Sequence, residues 1–180
     1  MRVSSKYMTT QHTKANERKK QIARAIEKIV VNAGVGKAGQ QAQFQEKTLP
    51  QITKDIAALA GQKPHVRSAK KAIAGFRLRE GQVVGLRATL RGAKMVDFFD
   101  RLVTIVLPRT HDFRGIAHTS IDEGGALHIG FREQFVFPEI NPEESTVSFS
   151  LGINIVPKVK VKAREKSVAT YQALGIPFKK

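Results

Sequence analysis

The 180-residue chain has no cysteine and no tryptophan, only two tyrosines, and 15 acidic residues against 31 lysines and arginines. Without cysteine there is no disulfide framework and no thiolate metal site, which fits a reducing compartment. No run approaches the 18 or so apolar residues of a membrane-spanning helix. The first twenty residues lack the apolar segment of a secretory signal. They carry one acid, Glu17, among Arg2, Lys6, Lys14, Arg18, Lys19, Lys20 and several hydroxyl residues. That composition suits an organelle transit peptide or, the reading preferred here, a basic arm that orders on RNA. The acid deficit leaves a formal charge of +16 on a chain that is 41% hydrophobic. Such a domain repels itself until an anion covers it, and nucleic acid is the common cellular polyanion. A membrane-surface role would put the cations on one amphipathic helix; here they sit among glycines and strands.

Residues 1–25 are expected to form a basic arm with a short helix from about Thr13, and 26–180 a single domain. Ile26–Asn32 reads as a strand running into a Gly34-Val35-Gly36 turn. Leu49, Ile52, Ile56 and Leu59 form one helical face, with Thr48 as N-cap, Pro50 in the first turn and Gly61 closing the end. Gln62–Glu80 reads as basic and irregular. Val83–Arg91 alternates as a strand, with Val84, Leu86, Ala88 and Leu90 on one face and Val83, Gly85, Arg87, Thr89 and Arg91 on the other. Ala93–Leu107 is the strongest helix, stopped by Pro108. A long loop follows to Gly125, then a short strand at Leu127–Phe131 and an extended Gln134–Ile140. Ser145–Val156 is a longer strand with Val147, Phe149, Leu151, Ile153 and Ile155 on one face, continued past Pro157 by Val159 and Val161. Ala163–Leu174 is a last helix. Several strand neighbours lack the helical crossover that parallel pairing needs. The expected class is therefore α+β with a mainly antiparallel sheet and helices packed on one side.

Chemistry-bearing motifs are sparse. Gly34-Val35-Gly36-Lys37-Ala38-Gly39 matches G-x-G-x-x-G, with Asp55 placed for a ribose contact, but residues 40–47 lack the apolar pattern of the helix such a site needs. A nucleotide-dependent enzyme built on this turn is one alternative. Close approach of a phosphate backbone to bare glycine amides beside Lys37 is another. His12, His65, His111, His118 and His128 have no zinc spacing. His111-Asp112 reads as an exposed loop pair, and Glu143-Glu144 after Pro142 as a turn cap. No catalytic residue, metal or cofactor is assigned. The basic blocks carry more. Lys63, His65, Arg67, Lys70 and Lys71 lie together, Phe76-Arg77-Leu78-Arg79 sets a ring among guanidinium groups, and Arg87, Thr89 and Arg91 line one strand face. Such groups on a rigid sheet bind phosphates and ribose hydroxyls. Phe76 on its own reads as a core residue.

Several blocks, in order, resemble the ribosomal large-subunit protein family five: Ile26–Ala38, Ala60–Ala74, Gly75–Gly92, Phe98–Gly115, Phe135–Ile140 and Ala173–Phe178. The resemblance runs from about Ala25 to Phe178. It implies a non-catalytic constituent of the large subunit of a bacterial-type ribosome, in the cytoplasm or an organelle. It further implies 5S rRNA binding in the central protuberance beside large-subunit rRNA and other 5S-associated proteins, with no membrane partner. By position, Asn32, Gly34, Val35, Gly36, Lys37, Gln62, Lys63, Lys70, Lys71, Arg87, Thr89 and Arg91 would meet rRNA. Phe76, Arg77, Arg79 and Gly81 would approach P-site tRNA. Arg109, Asp112, Phe113, Arg114 and Gly115 would face a small-subunit protein across an intersubunit bridge. His65 and Arg67 depart from the aliphatic and small hydroxyl residues usual there. An RNA-binding regulator acting off the ribosome is the remaining alternative.

Overall fold

The computed structural model describes residues 16–36, 43–111, 113–145, 147–159 and 164–179. Five strands, β1 (Ile26–Gly34), β2 (His65–Ser68), β3 (Val83–Leu90), β4 (Leu127–Phe131) and β5 (Leu151–Pro157), form one antiparallel sheet in the order β2-β3-β1-β5-β4. Four helices complete the α+β fold: α1 (helical over 16–25), α2 (Leu49–Ala60), α3 (Gly92–Arg101) and α4 (Arg164–Ala173). Among the described residues no helix is long and apolar enough to cross a membrane.

The chain divides into two compact units, one of residues 29–90 and 128–155, the other of 1–28, 91–127 and 156–180. In the first, alternation sets the sheet's two faces. Ile29, Val31 and Ala33 of β1, Leu86, Ala88 and Leu90 of β3, and Ile153 and Ile155 of β5 are at most 2% exposed. Burial of each valine, leucine or isoleucine in this set is worth about 1.5–3 kcal/mol, which fixes register, because a one-residue slip would turn the whole set outward. The residues between them, Asn32, Gly34, Arg87, Thr89, Gly152 and Asn154, keep some or much of their exposure. Helix α2 packs on β3, and its Ile52, Ile56 and Leu59 are buried. It ends at Gly61 in the left-handed region (φ 64°), as a glycine C-cap does.

Thr48 holds the N-cap position of α2 but does not cap it with its side chain. Its backbone is already helical and its hydroxyl makes no capping bond, because a π-turn over Phe44–Thr48 runs straight into α2. The segment expected to be irregular contains β2, whose four residues hold one aliphatic side chain, Val66, and lie at the sheet edge where alternation is weak.

The strand expected from Ser145 begins at Leu151. Upstream, the buried Gln134 carboxamide does the work of a strand neighbour. Its Nε2 donates to the Val147 carbonyl (2.6 Å) and its Oε1 accepts from the Phe149 amide (2.9 Å). Gln134–Val136 is accordingly a 3₁₀ turn rather than extended chain. The Glu143-Glu144 turn is capped by Asn141, whose side-chain oxygen accepts from the Glu143 amide at 3.2 Å.

In the second unit, α1 is tied to α3 by Arg18–Asp100 (3.3 Å) and Lys19–Asp97 (2.8 Å). Helix α3 does not stop at Pro108: a π-turn over Leu102–Val106 leads to a last helical turn at Leu107–Arg109 that includes the proline. Val159, expected to continue a strand, is 71% exposed; Val161 lies outside the described residues.

Candidate nucleic-acid interface

The antiparallel register puts the polar residues of the sheet in rows. Asn32 pairs with Arg87, and Arg87 with His65, so these three side chains line up across β1, β3 and β2 on the solvent face. One step along, Gly34 pairs with Gly85, and Gly85 with Arg67. In the other direction Val30 pairs with Thr89, whose carbonyl accepts from Gln62 Nε2 at 2.9 Å. That bond fixes the corner from which exposed Lys63 projects. Beyond β1, Gly152 lies against Asn32, and His128 Nδ1 meets Asn154 Oδ1 at 2.9 Å.

Four glycines therefore open this face: Gly34, Gly85, Gly130 and Gly152. Two are demanded by the protein itself. A Cβ on Gly85 would stand 2.9 Å from the Ala33 carbonyl oxygen, and one on Gly152 would fall on the Asn32 carboxamide. Gly34 and Gly130 have no atom within 4 Å of a notional Cβ and no positive φ. Glycine weakens a strand by about 0.5–1 kcal/mol relative to alanine, so its presence at these two open positions has no internal cause. A surface that something else's backbone approaches closely would give one.

Of the residues expected to contact rRNA, the sheet collects Asn32, Gly34, Arg87 and Thr89, with Gln62 and Lys63 at its corner. Val35 is 3% exposed and its amide donates to the Val84 carbonyl (3.0 Å), so it offers only backbone. Gly36 follows in the turn, Lys70 and Lys71 are exposed in the 69–82 excursion, and Lys37 lies outside the described residues. Arg91 belongs to the other unit, where its Nη1 is 3.2 Å from Glu27 Oε1. The Arg91 guanidinium, and after it the Lys28 ammonium, hold the Glu27 carboxyl below the ordinary glutamate range. Asp55, the would-be ribose ligand, is buried and accepts from the Ser145 hydroxyl (2.6 Å) and Gln51 Nε2 (2.9 Å); it is a core residue.

The 69–82 excursion is a built hairpin. Ile73 and Leu78 exchange amide-to-carbonyl bonds of 2.9 and 3.1 Å, and Ala69 is bonded to Gln82 and Gly81. Its tip holds Phe76, which is 75% exposed and so not the core residue its type suggests, and Arg77 at φ 50°, the one non-glycine residue with positive φ among those described. Arg79 follows, its amide bonded to Gln82 Oε1 (3.1 Å), and Gly81 turns the chain at φ 79°.

The 109–115 segment presents Arg109 and Arg114 to solvent, with Phe113 half-buried; Asp112 lies outside the described residues. Behind it the C-terminal segment forms a parallel bridge. The Ile116 amide donates to the Pro177 carbonyl and the Lys179 amide to the Ile116 carbonyl, both at 2.9 Å, while the His118 and Phe178 rings stack 5.4 Å apart.

The sequence places Gly85 on this face with Arg87 and Thr89, but Gly130, Gly152, His128 and Asn154 were missed as members of it. Their signal was the alternation of β4 and β5, where they are the residues between the buried ones.

The family model described as "Ribosomal protein L5" matches residues 23–79, and the model for the C-terminus of the same ribosomal family matches residues 83–178. The chain is also 44% identical over 154 residues to the large ribosomal subunit protein uL5 of Rubrobacter xylanophilus, covering 86% of this chain and 82% of that protein. The chain belongs to the ribosomal protein L5 family. It is therefore a structural constituent of the large ribosomal subunit, not an enzyme. Of the Gly34–Gly39 motif, Gly34 ends β1 and Val35 and Gly36 follow it, while residues 37–39 lie outside the described residues.

Proposed function

We propose that this L5-family protein binds 5S rRNA through the solvent face of its sheet and so helps hold that RNA in the central protuberance, beside large-subunit rRNA and other 5S-associated proteins. The observation carrying this reading is the Asn32–Arg87–His65 row flanked by glycines that nothing in the protein requires. The row supplies a carboxamide, a guanidinium and an imidazole at fixed strand spacing for phosphates and ribose hydroxyls, and Gly34 and Gly130 let the RNA backbone come close. Because the sheet is preformed, little ordering entropy opposes binding.

The same reading gives the 69–82 hairpin, with Phe76, Arg77 and Arg79 at and beside its tip, to P-site tRNA. It gives the 109–115 segment to a small-subunit protein. The hairpin's bonded base and its strained Arg77 support a contact that must be held out from the body. The C-terminal bridge gives the second segment a rigid backing.

Equilibrium binding of purified protein to 5S rRNA over a salt series tests the sheet reading. Saturable binding, weakened by Asn32→Ala and Arg87→Ala but not by Arg77→Ala, is expected. Equal binding of 5S rRNA and an unrelated RNA of the same length would refute it and favour a general RNA-binding regulator.

A further inference from the structure

The excess charge is not shared equally between the two units. Residues 29–90 and 128–155 contain 11 Lys and Arg against 7 Asp and Glu, a formal +4. Residues 1–28, 91–127 and 156–180 contain 20 against 8, a formal +12. A sheet-face role for the first unit leaves most of the positive charge unexplained. In the second unit Arg24, Arg164 and Lys166 are exposed and take part in none of the ion pairs among the described residues.

That unit also contains a cavity of about 190 Å³. Drug-sized ligands occupy pockets of about 300–1,000 Å³, so this one has room for a single flat ring. Pro157, Val159 and Tyr171 contribute apolar walls, and Thr170 and Arg24 also line it. Lys158 is anchored beside Arg24: its amide donates to the Ala25 carbonyl (2.8 Å) and its Nζ to the Ala23 carbonyl (3.3 Å). Ser167 lines the cavity too. It is 2% exposed, and its hydroxyl has no hydrogen-bond partner. The Tyr171 hydroxyl is committed to the Gly125 carbonyl at 2.9 Å, which leaves Ser167 as the free polar group of the interior.

We propose that this cavity receives one unpaired, extruded base of large-subunit rRNA. Arg24 and Lys158 neutralise the phosphates on either side, Val159 and Pro157 cover the base, and the Ser167 hydroxyl bonds to its edge. Unpaired bases are the elements of RNA that proteins take into apolar slots, and any base offers both a flat face and edge donors or acceptors. A side chain from a neighbouring protein would fill the walls but leave the cations without counter-charge and, if apolar, the serine without a bond. The inference depends on the protein's place in the large subunit and not on the sheet-face reading.

The test uses large subunits assembled with wild-type protein, Thr170→Phe, which fills the cavity from an exposed rim position, or Ser167→Ala, which removes the hydroxyl without adding bulk. The rRNA is probed with a reagent that modifies the pairing edges of unpaired bases. One large-subunit base protected by wild-type protein is expected to become at least about fivefold more reactive with Thr170→Phe and less so with Ser167→Ala, with 5S rRNA protections unchanged. Should Thr170→Phe melt early, Arg24→Glu at an exposed position carries the same reading. Identical large-subunit rRNA reactivity across the proteins overturns the proposal. So does a photo-crosslinker at position 170 that captures a ribosomal protein and no RNA.

Discussion

Gly115 and Phe178 touch backbone to backbone: a Cβ on Gly115 would stand 2.7 Å from the Phe178 carbonyl carbon and 2.8 Å from the Lys179 amide nitrogen. With Gly115 at φ 92°, both its conformation and its contact exclude a side chain. The C-terminal segment thus closes against the 109–115 loop only because residue 115 is bare.

Gly115→Ala is expected to part the Ile116–Phe178 bridge. Hydrogen exchange should rise at the Ile116 and Lys179 amides, and subunit association should slow while 5S rRNA affinity holds. Phe178→Leu, which keeps an apolar contact, should restore part of the protection that Phe178→Ala loses. Unchanged exchange in Gly115→Ala would show that the bridge does not hold this loop.

Arg87→Ala should flatten the salt dependence of 5S rRNA binding by about 0.7–0.9 log units per log unit of salt, the value for one phosphate contact. Arg91→Ala should change the slope less, because Glu27 already shares that guanidinium. A salt series on the two variants measures both, and equal slopes for Arg87→Ala and wild type would remove Arg87 from the interface.

Gly34→Ala and Gly130→Ala should have effects of opposite sign on stability and on binding. No protein atom meets the new methyl, so the folded state is expected to gain about 0.4–1 kcal/mol from the stiffer unfolded chain, while 5S rRNA affinity falls. Gly152→Ala should lose both, since its methyl displaces Asn32. Thermal melts and RNA titrations separate these outcomes.

Arg77→Ala with Arg79→Ala should spare 5S rRNA binding and weaken retention of P-site tRNA on ribosomes. Loss of both together would contradict the separation between hairpin and sheet.

Burial, opposed in part by a hydrogen bond at Leu127 and reinforced by the Asp122 charge, pushes the Tyr171 phenol well above the ordinary tyrosine value. Folding therefore favours the protonated form. Its contribution is fully present below the unfolded value of about 10 and is lost as pH rises from there through the raised folded value. Alkaline melts should show wild-type stability falling above about pH 10 and a smaller fall in Tyr171→Phe. That variant should lose about 1 kcal/mol at neutral pH with the bond to Gly125.

Period-two alternation made β3 legible with its buried face, whereas β1 was legible from its β-rich composition and the glycine turn after it. The solvent-facing Arg87 and Thr89 followed directly. What stayed hidden depended on partners distant in sequence. β2 has one aliphatic residue and exists by pairing with β3. The 147–149 stretch alternates like a strand, yet the Val147 carbonyl and the Phe149 amide meet a single glutamine side chain. The glycine strip became visible only when register set Gly34, Gly85 and Gly152 on one face. Phe76 misleads because an aromatic type suggests burial, whereas a two-residue bridge at Ile73 and Leu78 is enough to hold its ring in solvent. The resemblance-based site residues within the sheet share a face; Val35, a neighbour in sequence, points into the core.

Both long helices carry Leu-Pro directly after a five-residue π-turn, at Leu49-Pro50 and Leu107-Pro108. The widened turn closes on the leucine amide, which bonds five residues back to Phe44 and Leu102 respectively. The pyrrolidine, which has no amide hydrogen and would strike the carbonyl four residues earlier in an α-helix, thus enters where the winding has already changed. Deleting one residue from either π-turn should be poorly tolerated alone and recovered when the following proline becomes alanine, so lineages that lose the insertion should lose the imino acid with it.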